Sequence, residues 1–195
     1  MELTEKPGLE GQLKIYKVYN TYAVISRASG IVITHYEADE PKENEIYPVT
    51  QFEHKLVTSR KELAYDETNL IVTASKQALL LGIVATSLTA DPIVLLKVGT
   101  GGCIDSGGFY PKPEDPAQTD LITPISSIAT TYTAVSGEVA YTFLADITSA
   151  ALTGTMITEA GLFKQSGLIF NVKNHPGIVK TSAFSIHYEW TILLL

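Results

Sequence analysis

From Phe184 to Leu194 apolar and polar positions alternate without a break. Phe184, Ile186, Tyr188, Trp190, Ile192 and Leu194 fall on one face, and Ser185, His187, Glu189 and Thr191 on the other. Period two over that length predicts a long strand with one buried face, in a largely antiparallel sheet. "EVAYTFLADI" repeats the pattern, with Val139, Tyr141 and Phe143 opposite Glu138, Ala140 and Thr142. Ser136-Gly137 joins it to "ATTYTAV" as a hairpin. "PIVLLKVGTGG" opens with a short continuous apolar run, which suits a strand covered on both faces. Leu79, Leu80, Ile83 and Val84 recur three or four apart, predicting an amphipathic helix over 73–85. Earlier signals are weaker. "GQLKIYKVYN" reads as a strand ending at Asn20, and two short strands flank "RASG", where Gly30 supplies the turn. "IYPVTQFEHKLV" reads as a strand interrupted by Pro48. The expected fold is mainly β, an antiparallel β-sandwich-like domain with one principal α-helix. Residues 1–68 form an N-terminal β segment that suits a docking appendage, and 69–195 the core domain.

The stretch "TEAGLFKQSGLIF" (158–170) alternates poorly, because Gly161 has no side chain to bury. Glycine inside a strand marks a bulge or a close backbone approach. "KQSG" turns the chain and "LIFNV" returns, so the stretch is a hairpin with Gln165-Ser166-Gly167 at its tip. Its one carboxylate, Glu159, has no facing acid by spacing, and general acid/base chemistry on sugars needs a pair. The expected role of Glu159 is to accept hydrogen bonds from nearby backbone groups or a hydroxyl.

Composition narrows the classes. The chain has 195 residues, 45% of them hydrophobic, which suits one compact domain able to bury a core without staples. A net charge of −7 with only Arg27 and Arg60 leaves no basic stripe for nucleic acid. The single Cys103 rules out an internal disulfide. "MELTEKPGLEGQ" lacks an apolar core, and the longest apolar run is about half a bilayer span. Synthesis in a cytoplasm without membrane insertion is the expectation.

Candidate chemistry is sparse. "TGGCIDSGGFYPKPEDPAQTD" is a loop of about twenty residues, a length usually tied to function or mobility. It is not a phosphate loop, since no Lys follows the glycines and Pro111 and Pro113 oppose a helix. Its acids, Asp105, Glu114, Asp115 and Asp120, read as a solvated loop. His35, His54, His175 and His187 show no paired spacing, so no metal site, cofactor site or catalytic group is assigned, and the histidines are expected in solvent or loops. Tyr16, Tyr132, Tyr141 and Tyr188 sit in strand patterns. Tyr110, in the loop, is the better contact candidate.

Taken together, these motifs resemble a family of tailed-bacteriophage tail, collar and fibre proteins. "TEAGLFKQSGLIFNVKNHP" is similar to the family's hairpin: an acid, a small residue, Gly-Leu-Phe, a polar turn, then Leu-Ile. "NLIVTASKQALLLGI" resembles its Asn-Leu-Ile segment leading into a helix. "LLKVGTGG" followed by "DPAQTDLITPI" resembles its Gly-Thr-Gly turn and Pro/Ala loop, although "TDLI" reverses the usual order. "IVKTSAFSIHYEWTILL" resembles its last strand. The resemblance covers 69–195. It implies a virion structural protein of the neck, tail, baseplate or fibre, working as a symmetric homo-oligomer against other virion proteins; no enzymatic activity is expected, because no nucleophile–base arrangement is legible in the sequence. The alternative it leaves is an adhesin module that binds a host glycan. Leu193 and Leu195, which face away from Trp190, together with His187 and Tyr110, are the candidate interface residues.

Overall fold

The computed structural model describes residues 9–37, 51–71, 91–136 and 140–194. The segment predicted as a helix, 73–85, lies outside the described residues, as does the turn glycine at 137. Among the described residues there are ten strands and no helix: β1 Leu9–Ser26, β2 Val32–Glu37, β3 Phe52–Ile71, β4 Ile93–Gly99, β5 Pro124–Ala129, β6 Thr131–Ala134, β7 Ala140–Ile147, β8 Met156–Lys164, β9 Ile169–Val179 and β10 Ser185–Leu194.

The strands make two antiparallel sheets in a β-sandwich-like arrangement. The first runs β3–β1–β10–β7–β6, and the second runs β5–β4–β8–β9. The end of β3 joins them, because Leu70 and Ile71 leave β1 and pair with Val172 and Asn171 of β9. The alternation of β10 is realised: Phe184, Ile186, Tyr188 and Trp190 are buried. Trp190 lies between Leu13 of β1 and Phe143 of β7. Leu13, Ile15, Leu96, Val98, Ile157, Leu162, Ile186 and Trp190 belong to one cluster drawn from both sheets. Two residues of the N-terminal segment, Leu13 and Ile15, thus sit in the same core as β10.

The first third departs from its sequence pattern. Asn20 does not end a strand. β1 continues through it for 18 residues, with Asn20 opposite Ser59. Asn has low strand propensity, but the ladder with β3 overrides that local preference. β10 accompanies β1 only as far as Val18, and β2 takes its place beside Thr21 to Ile25. The far half of β1, β2 and the start of β3 therefore form a three-stranded arm. On it Tyr22 stacks on Tyr36 at 5.6 Å, and the Tyr36 hydroxyl is 2.8 Å from His54 Nδ1.

A second small cluster, Leu121, Phe163, Ile169 and Val172, lies on the outer side of the second sheet. Its presence explains why every residue of β8 from Ile157 to Phe163 is buried. One face meets the sandwich core, and the loop between β4 and β5 covers the other. No described helix is long and apolar enough to cross a membrane.

Candidate functional site

The β8 face under that loop carries Glu159, which is 0% exposed. Its carboxylate accepts backbone N–H bonds from Gly101 at 2.9 Å, Thr123 at 2.8 Å and Ile122 at 2.8 Å. The neighbouring Thr158 hydroxyl accepts from Gly102 N at 2.9 Å. A buried carboxylate demands such partners, since an ion without them is very costly. The two ends of the loop, Gly101–Gly102 and Ile122–Thr123, are thereby tied to one strand. Glycine is required at the approach. A Cβ on Gly102 would strike the Thr158 carbonyl, and one on Gly99 would strike the Glu159 carboxylate.

Between these ties the loop rises as a short finger. Cys103 bridges to Pro111, and Ile104 N donates to Tyr110 O at 2.9 Å. Asp105 organises the tip, accepting from Tyr110 N at 2.9 Å and Phe109 N at 3.2 Å. The Tyr110 amide bond is the main reason its carboxyl is held below the usual range. The finger is pinned to β9 where Gly177 N donates to Gly108 O at 2.6 Å. Ile104, Phe109 and Tyr110 are left 70%, 74% and 68% exposed.

Beside the finger, β9 holds a polar cluster. Lys173 bridges Glu67 at 3.3 Å and Glu114 at 3.4 Å. Asn174 donates from its backbone to Glu114 and from its side chain to Lys112 O. His175 is fully buried, with Nδ1 2.9 Å from the Pro176 carbonyl and its ring 5.4 Å from that of Tyr65. A carbonyl only accepts, so Nδ1 carries the proton. Nε2 has no protein partner. Burial pushes this imidazole down to about 4. Tyr65 donates to Glu67 at 3.0 Å, and burial, then this bond, raises its phenol. The Cys103 thiol donates to the His175 carbonyl at 3.4 Å and is raised by burial, then by Asp105. A raised thiol is a weak nucleophile.

The sequence-derived candidates meet different fates. Tyr110 is exposed at the finger. His187 lies on the outer face of the first sheet, with Nδ1 2.7 Å from Asp146 and Nε2 3.3 Å from Glu189. Leu193 is half-buried on that same face, opposite Ala140, and Leu195 lies outside the described residues. The structure does not bring the three described candidates, Tyr110, His187 and Leu193, together. The expectation that histidines sit in solvent or loops fails at His175, because the finger folds over β9. The loop acids do not converge either. Asp105 caps the finger, Glu114 meets Lys173, Asp115 accepts from Ala117 N, and Asp120 pairs with Lys97 at 3.1 Å. Among the described residues no three His, Cys, Asp or Glu side chains gather to hold a metal. Sequence reasoning missed Lys180, fully buried and donating to Ser149 O and Thr181 O, along with the β9 cluster. An isolated Lys or His in a mixed strand carries no signal of burial. Comparison of the chain with protein-family models, curated proteins and solved structures finds no match.

Proposed function

We propose that the protein is a structural subunit of a tailed-bacteriophage neck, tail, baseplate or fibre apparatus, present in repeated copies and docking against other virion proteins. The observation that carries this reading is the Glu159 clamp. The hairpin stretch "TEAGLF" and the turn "VGTGG", both central to the resemblance, are joined there into one hydrogen-bonded unit. The clamp accounts for the motif as scaffold: the acid holds a loop, and the glycines make room for it. Mass spectrometry and a density map of purified particles test the reading. Repeated copies around a tail axis are expected, and absence from the particle overturns it.

A second reading, a host-surface adhesin, is favoured by one feature, the ordered finger with Ile104, Phe109 and Tyr110 exposed at its tip. Rigid aromatic rings give contact area at low entropic cost. Under this reading Phe109→Ala with Tyr110→Ala abolishes binding of the purified protein to host cells. Under the assembly reading the purified protein does not bind the cell surface.

A further inference from the structure

β3 is an unusual strand. Every residue from Lys55 to Ala64 is exposed. Neighbouring strand residues point to opposite faces, so both faces of β3 are open here. One edge of β3 is taken by β1 from Phe52 to Asn69. Among the described residues no strand pairs with its other edge until Leu70 meets β9. From Lys55 to Asn69 that leaves roughly 45 Å of edge, at ~3.3 Å per residue, with which no described strand pairs, a row of backbone donors and acceptors ready to pair. Leu56, Val57 and Leu63 are about half exposed along it.

Beyond Glu53, from Lys55 onward, the charges along this edge are segregated. From Lys55 to Lys61 every charged side chain is basic: Lys55, Arg60 and Lys61. From Glu62 to Glu67 every one is acidic: Glu62, Asp66 and Glu67. Parallel pairing with an identical strand sets like against like. Antiparallel pairing about a two-fold axis sets the basic half of each copy against the acidic half of the other. With the axis at Lys61, Arg60 stands opposite Glu62 of the second copy. Lys61 itself is already held by Glu189 at 3.1 Å and lies over the Tyr16 ring. β3 also carries two extra residues relative to β1, Val57 and Ala64, with a regular run between them. Bulges and edge lysines block indiscriminate pairing. Here they leave the self-complementary register open.

We infer that the open edge of β3 is the self-association surface of this chain, and that its occupant is the antiparallel β3 of a second copy. The first sheet then runs continuously through a two-fold dimer, an isologous contact that closes on itself. This inference rests on the repeated-copy part of the proposed function and names the contact for it.

The test is sedimentation of the full chain, with Arg60→Glu and Glu62→Arg as separate variants and circular dichroism confirming that both fold. The unaltered chain sediments as a dimer, weakening with salt. Each single variant places like charges at both symmetric positions and raises the dissociation constant at least ~10-fold. An equimolar mixture of the two variants recovers the dimer. In the mixed pair, positions 60 and 62 of one variant are both acidic and face positions 62 and 60 of the other, which are both basic. A misfolded variant cannot produce that recovery. An unaltered chain that stays monomeric at high concentration overturns the inference. So does a dimer that ignores both changes, although that second result leaves the repeated-copy reading standing and moves the contact elsewhere.

Discussion

Gly101 N donates to Glu159 Oε1 at 2.9 Å, across 58 residues of chain. Thr123 N donates to the same oxygen, and Ile122 N to the other. Removing the acceptor leaves three part-buried N–H groups without their shared partner, each worth up to about 1–3 kcal/mol. Glu159→Ala is therefore expected to cost more than ~3 kcal/mol. Glu159→Gln keeps one acceptor but turns an NH₂ toward an amide, at a cost of ~1–3 kcal/mol. Urea unfolding of the two variants checks both the sizes and their order.

At Gly102 the added methyl group of alanine meets the Thr158 carbonyl, and backbone cannot swing aside as a flexible side chain can. Gly102→Ala is expected to destabilise by ~1–3 kcal/mol through overpacking. It also raises hydrogen-exchange rates at Gly101 and Ile122, because the loop ends lose their tie. Exchange measured by mass spectrometry reads this directly, and unchanged protection there refutes the clamp as the loop's anchor.

His175 is held neutral by burial, at about 4 against an ordinary 6.5. Lys173, Tyr65 and Cys103 surround it and none supplies a negative charge within hydrogen-bond reach. The folded value is the lower one, so between pH 6.5 and 4 the unfolded chain binds more protons. The contribution is fully present above pH 6.5 and is lost as pH falls through that window, by roughly 3 kcal/mol in total. Chemical denaturation from pH 7.5 to 4 measures the slope. His175→Phe flattens it, and an equal slope in the variant would refute the assignment.

Trp190 is 0% exposed. As the only tryptophan it reports the core alone. Its native emission is expected to be blue-shifted and poorly quenched by acrylamide. Trp190→Ala costs ~3–5 kcal/mol, by denaturant titration. Emission at the water-exposed wavelength in the folded state contradicts the burial.

The sequence alone determined β10 and the hairpin of β8 and β9. In β10 a single face is buried, so the period-two pattern is written directly in Phe184, Ile186, Tyr188 and Trp190. In the hairpin the turn needs positive φ, and Gly167 adopts 88°. Local sterics and one-sided burial act over a few residues, which is why they can be read there. It also indicated that Glu159 would serve as a hydrogen-bond acceptor, for backbone groups or a hydroxyl. Which groups those are came only with the tertiary structure, since Gly101, Ile122 and Thr123 lie 36 to 58 residues away. The same holds for His175, whose burial depends on a finger folded over it from another part of the chain. β3 is the clearest case. With both faces exposed it has no burial to imprint alternation, and its strand state is imposed by the ladder along β1. Long-range hydrogen bonding fixes the backbone there, while the side chains are left to record whatever meets the open edge.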